Sequence, residues 1–477
     1  MKKKQLRWTL WTIASPFILF IILCILIYLP PIQNFLVDKA AVYASEATGM
    51  NISVGRISLS FPLNLVVTDV DAASPHKDTL LSVRRLQVNV QLLPLLKKQV
   101  EVDGISLQGA TVNSNDLIHG MKLNGTLGEL FISSHGVALD PETAIVNKVL
   151  LKDTDLSLCL NDTAAADTAA SDTTYWKIIL QDIDLQNVSF ALDMPLDSLS
   201  LAASLDNAIL RDGLIDLHKS AYSLQTFRIE NGRVRYDNGK PLAADSLPSG
   251  LDPSHIALTD IGVKLDSLYY GGRNMKAIIS QFVLKERSGV EIVSTEGRLV
   301  SNDKVLRVPS LKLETRDSYL ELNAAMDWNA LDFKDEGLVS ARLMADIGKP
   351  DVVRFMGSMD EKFIRQYPSE PLRIRTGIDG DLNKLKLTTL TAELPGALGL
   401  FARGELTHLT DSLLRGGDIT LEAETKDLKF VSTLAEGIEI PYGTRLEGKF
   451  TMAGPKMGTD LLLSLIHISE PTRHLRI

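Results

Sequence analysis

Val100-Glu-Val-Asp-Gly-Ile-Ser-Leu-Gln-Gly-Ala-Thr-Val112 decides the reading of this chain. Apolar and polar residues alternate in it, the period of a strand with one wet and one dry face. Its last nine residues return without gaps as Asp182-Ile-Asp-Leu-Gln-Asn-Val-Ser-Phe190 and as Thr226-Phe-Arg-Ile-Glu-Asn-Gly-Arg-Val234. Each copy has apolar residues at its second, fourth and ninth positions and Gly or Asn at its sixth. Gly and Asn tolerate positive φ, so each copy reads as strand, tight turn or bulge, strand. The intervals are irregular, which argues for a strand pair used repeatedly and against a fixed-period solenoid.

The same alternation extends in both directions. Upstream it occurs at Ile52–Val54, Ile57–Leu59, Leu63–Leu65 and Val83–Val90. Downstream it occurs at Val234–Tyr236, Val290–Ile292, Leu311–Leu313, Leu320–Leu322, Leu385–Leu387 and Ile419–Leu421. The fold class is therefore mainly β. Helical spacing marks two places. Ile32, Phe35, Leu36, Lys39, Val42, Tyr43 and Ala47 predict an amphipathic helix closed by Gly49 as its C-cap. Val352, Val353, Phe355, Met356 and Phe363 predict a second helix from Pro350 to about Arg365. Crossover helices are scarce, which disfavours a parallel βαβ architecture. Asn161 to Thr174 is low-complexity Ala, Thr and Asp, read as a linker that divides the chain near residue 170.

The N-terminus sets topology. Lys2, Lys3, Lys4 and Arg7 precede an uncharged run from Trp8 to Leu29. A helix of that length crosses ~30 Å of hydrocarbon, and the flanking cations place its N-terminus in the cytoplasm. A cleaved signal peptide is the competing reading, but its apolar core is only ~7–15 residues and small residues follow it. Here Tyr28, Leu29, Pro30, Pro31 and Ile32 follow. Beyond the run, 46 Lys and Arg face 59 Asp and Glu, about −13. That balance, with the topology, excludes nucleic acid as a partner. Cys24 and Cys159 offer no disulfide framework.

With these features in order, the chain resembles the AsmA-like superfamily of Gram-negative envelope proteins, and most the N-terminal part of its TamB-like members. The resemblance rests on the basic tail, one membrane helix, an amphipathic helix, Ile52–Leu59, Asp78–Val83, Val100–Val112 and the glycine-spaced strands from Gly377 through Gly396 and Gly404. It implies a long curled β-sheet, open along one side, whose apolar inner face forms a groove between inner and outer membranes. It further implies phospholipid movement to the outer membrane, in a protein of the inner membrane with its body in the periplasm. The alternative is a non-enzymatic adaptor for outer-membrane protein assembly with an Omp85-type barrel partner. The resemblance divides the chain into a cytoplasmic tail (1–7), a transmembrane helix (8–29), an N-terminal α+β region (30–160), the linker (161–174) and an incomplete groove region (175–463). Residues 464–477 resemble a translated sequencing-adapter fragment and are expected to be foreign, with the family's C-terminal domain missing.

No catalytic, cofactor or metal constellation competes with this reading. Gly443–Phe450 nearly fits a phosphate-binding loop but ends in Phe450 where Ser or Thr is required, and it reads as a strand. Asp153-Thr-Asp155 lacks the rest of a calcium loop. Asp182 and Asp184 share a strand face with no nearby base. The histidines, such as His76, His119, His135, His218, His255 and His408, lack metal-ligand spacing. We therefore expect no enzyme activity. What remains is the apolar face, either the core of closed β-sandwiches or a groove lined by lipid. The lining candidates are Ile105, Leu107, Ile183, Leu185, Phe227, Ile229, Leu311, Leu313, Leu385 and Leu387. Ser106, Asp184, Arg228, Lys312 and Lys386 are expected to face solvent.

Overall fold

The computed structural model describes residues 39, 41–42, 45, 49–60, 64–74, 79–91, 102–114, 120–138, 142–161, 175–239, 250–332, 336–356, 361–433 and 442–465. The chain divides into two compact units, Met1–His218 and Lys219–Ile477. The expected transmembrane helix and the foreign tail beyond Leu465 lie outside the described residues, as does the linker apart from Asn161. Among the described residues no helix is long and apolar enough to cross a membrane.

Among its described residues the first unit holds eight strands: β1 (Asn51–Ser60), β2 (Asn64–Ala73), β3 (Thr79–Val90), β4 (Val102–Asn113), β5 (Met121–Ala138), β6 (Thr143–Leu160), β7 (Lys177–Met194) and β8 (Leu199–Asp216). Each pairs with the next, antiparallel except for β6 and β7, which run parallel. These two strands flank residues 161–174, yet they pair within one unit. The boundary expected near residue 170 is therefore not where the units divide. The amphipathic stretch before β1 is helical at Lys39, Ala41, Val42 and Ser45. Gly49 has φ +69° and donates its N–H to the Ser45 carbonyl at 2.9 Å. This is the left-handed C-cap that its lack of a side chain permits.

Among its described residues the second unit holds fourteen strands. They are β9 (Ala221–Leu224), β10 (Thr226–Asn238), β11 (His255–Gly271), β12 (Asn274–Glu286), β13 (Glu291–Ser301), β14 (Val305–Thr315), β15 (Tyr319–Asp327), β16 (Leu338–Ile347), β17 (Leu372–Asp381), β18 (Lys384–Leu394), β19 (Leu398–Thr407), β20 (Gly416–Thr425), β21 (Thr444–Ala453) and β22 (Lys456–Leu465). From β10 onward each strand pairs antiparallel with its successor, and β9 pairs with β11. Pairing continues to Leu465, two residues into the stretch expected to be foreign. Of the stretch from Pro350 to Arg365, α2 (Lys349–Phe355) and α3 (Glu361–Gln366) are helical, with 357–360 outside the described residues. A four-residue α1 (Trp328–Leu331) has no counterpart in the sequence reading.

The recurring phrase lies inside a strand in all three copies: at Gly109 and Asn187 one pair is omitted with the register kept, and at Asn231 the register shifts as in a bulge. Its sixth residue has positive φ each time: Gly109 at +61°, Asn187 at +51° and Asn231 at +53°. The glycine-spaced strands have a steric cause. A Cβ on Gly404 would lie 2.1 Å from the Asp418 carbonyl oxygen, a distance no side chain allows.

Deep burial is confined to few places. In the first unit the fully buried apolar side chains among the described residues are Ala72, Leu80, Val83, Ala110 and Ala208. In the second unit two clusters sit at opposite strand ends. One joins α3 to the β18–β19 hairpin through Phe363, Tyr367, Leu394, Ala397, Leu428 and Phe430. The other joins α1 to the β17–β18 turn through Ala330, Val339 and Leu382.

Candidate functional site: an amphipathic sheet

Cross-strand partners share a face, so the register tests which candidates meet. In the first unit one row runs Leu59, Leu65, Val88, Ile105, Ile132, Val149, Ile183, Leu210. A second runs Ile57, Val67, Leu86, Leu107, Leu130, Leu151, Leu185, Ala208. Every member is apolar. Ile105, Leu107, Ile183 and Leu185 thus belong to one band that crosses all eight strands.

In the second unit Phe227 and Leu311 stand on a single row. It runs Phe227, Leu265, Ile279, Gly297, Leu311, Leu322, Leu343, Thr376, Leu390, Ala402, Leu421, Gly448, Leu461. Leu313 begins a neighbouring run through Leu320, Ala345, Ile374, Ala392, Leu400, Ala423 and Leu446. Leu387 pairs with Ile378 and Gly404, and Leu385 with Gly380 and Leu406. From β15 to β22 these four rows carry no charged residue. Ile229 pairs with Val263, and Val263 with Phe282.

The opposite face of β15–β22 is charged and largely self-neutralised. Arg375 meets Asp346 at 2.8 Å, Lys384 meets Glu405 at 3.3 Å and Lys449 meets Asp418 at 3.5 Å. Lys312 and Lys386 stand on this face, exposed. Clefts of about 400 and 330 Å³ also lie there, between standing side chains such as Glu422, Glu424, Arg445, Glu447 and Lys449. Phe401 and Leu462 share their lining with these charges.

None of the ten candidates is fully buried. Nine are half-buried and Ile105 is 36 % exposed. Arg228 is exposed, as expected. Ser106 and Asp184 are half-buried. Asp184 is held by Arg211 at 2.9 Å, and the same guanidinium pairs with Asp182. The two carboxylates that share a strand face therefore clamp one arginine. Asp153 is a left-handed residue at φ +49°, hydrogen-bonded by Asn187 Nδ2 at 2.9 Å. Gly443–Phe450 leads into β21. Among the described residues no group of His, Cys, Asp or Glu is placed to hold a metal ion.

Sequence reading missed a buried carboxylate. Asp351 of α2, 1 % exposed, accepts hydrogen bonds from Thr315 Oγ1, from Ser318 Oγ at 2.6 Å and from Arg354 Nη1 at 3.0 Å. Arg354 also donates to Asp317 at 2.8 Å. These residues are scattered through the sequence, so no local motif announces them. No family model and no curated protein matches the chain.

Proposed function

We propose that the protein is a non-enzymatic lipid carrier. Anchored in the inner membrane by residues 8–29, it guides phospholipid through the periplasm towards the outer membrane along an open, curled apolar β-groove. One observation carries this reading. The apolar rows are continuous across strands, and their large side chains at the candidate positions are only half-buried, while small members such as Ala208, Ala345, Ala402 and Ala423 are buried. Water contact on such a face costs roughly 25 cal/mol per Å². Acyl chains remove that cost without specific polar contacts. The charged opposite face keeps the other side wet.

The test is the cargo. Residues 32–465, purified without detergent, are expected to retain phospholipid detectable by native mass spectrometry. Lipid-free protein that instead captures an Omp85-type barrel would replace this reading with the adaptor.

A further inference from the structure

The first unit has a line along which its strand pairing lapses. Along one line the ladder between each adjacent pair of its eight strands omits an opposed pair without changing register, and β6–β7 and β7–β8 omit a second pair elsewhere, at Asn147–Gln181 and Gln181–Asp212. On the shared line each strand contributes one residue. Gly55 lies opposite Asp69, Gly109 opposite Gly128, and Asp153 opposite Asn187. Four of these residues are left-handed: Asp69 at φ +54°, Gly109 at +61°, Asp153 at +49° and Asn187 at +51°. Gly, Asn and Asp are the types that tolerate this conformation.

The glycines serve close approach. A Cβ on Gly55 would lie 2.9 Å from Asp69 Cβ, and one on Gly128 would lie 2.8 Å from Asp153 Cβ. The apolar phase also slips by one residue at this line. On β1, Ile57 and Leu59 lie on one flank and Ile52 and Val54 on the other. Each flank therefore has its own amphipathic pattern, and the backbone ladder is interrupted between them.

We propose that this row is a hinge line about which the two flanks of the sheet rock. Ladder pairing resists such motion elsewhere, and along this line it is missing in every strand. The inference stands on backbone geometry and is independent of the lipid reading.

Two measurements on the full-length chain in detergent test it together. By residue-resolved hydrogen exchange, the amides of Asp69, Asp153 and Asn187 are expected to exchange at least tenfold faster than those of Val67, Leu151 and Leu185, two residues along. With Cys24 and Cys159 replaced by serine, spin labels at positions 148 and 157 bracket the line on β6. Their distance distribution is expected to be at least twice as wide as that of labels at 418 and 424 on unbroken β20. Equal protection overturns the hinge. So does fast exchange with an equally narrow distribution, which would mean a fixed bend.

Discussion

Asp351 is the residue on which the packing of α2 depends most. Removing a buried carboxylate from its donors leaves Arg354, Thr315 and Ser318 partly unpaired. Asp351→Ala should therefore lower stability by about 3 kcal/mol. Asp351→Asn should cost less, and chemical denaturation of the two variants measures the difference. Asp252 governs pH response. Its hydrogen bond with His255, at 2.8 Å, holds its carboxyl below the ordinary value, helped by the Ser254 N–H. A lowered folded pKa gives stability that is present above the unfolded value of 3.8 and lost as pH falls through the folded one. Asp252→Asn should flatten the acid limb of melting temperature against pH and leave the neutral region unaltered in slope. Leu185→Asp tests the face itself. At a half-buried position the expected cost is roughly 1 kcal/mol. In a closed core an unpaired charge would cost about 4 kcal/mol or more and unfold the unit.

At the scale of elements, alternation was legible because each strand carries its own two-residue period. The described residues of the quoted stretches are strand almost throughout, with Val290 just ahead of β13. The positive-φ position in the recurring phrase was legible too, since Gly and Asn announce it. Pairing was not. The parallel union of β6 with β7 is nonlocal, and no residue at either strand marks it. It makes a prediction about chain length. Leu160 and Lys177 lie at opposite ends of the pair, about 56 Å apart at ~3.3 Å per residue. The seventeen Cα–Cα steps between them reach at most about 61 Å at ~3.6 Å each. Deleting six residues within 161–174 should abolish the β6–β7 register, read as loss of exchange protection in β7. Inserting six should leave it intact.

For the whole molecule, the candidate positions could be chosen from sequence because an amphipathic strand shows its dry face. Which of them join could not, because that needs the register of distant strands. Ile105 and Ile183 hold the same position in two copies of the recurring phrase, but that they share one row in the sheet needs the register of the strands between them. Phe227 and Leu311 also share a row. Parity put Ser106 and Asp184 opposite the apolar rows, but it does not report a neighbour such as Arg211, which half-buries Asp184. The central claim is that the apolar rows contact acyl chains while the charged face does not. Photo-crosslinking in living cells, from single sites on each face, tests it most directly. Phospholipid adducts are expected from Leu107, Leu185, Leu311 and Leu387, and none from Lys312 and Lys386. Equal capture from both sets, or capture from neither, would contradict the account.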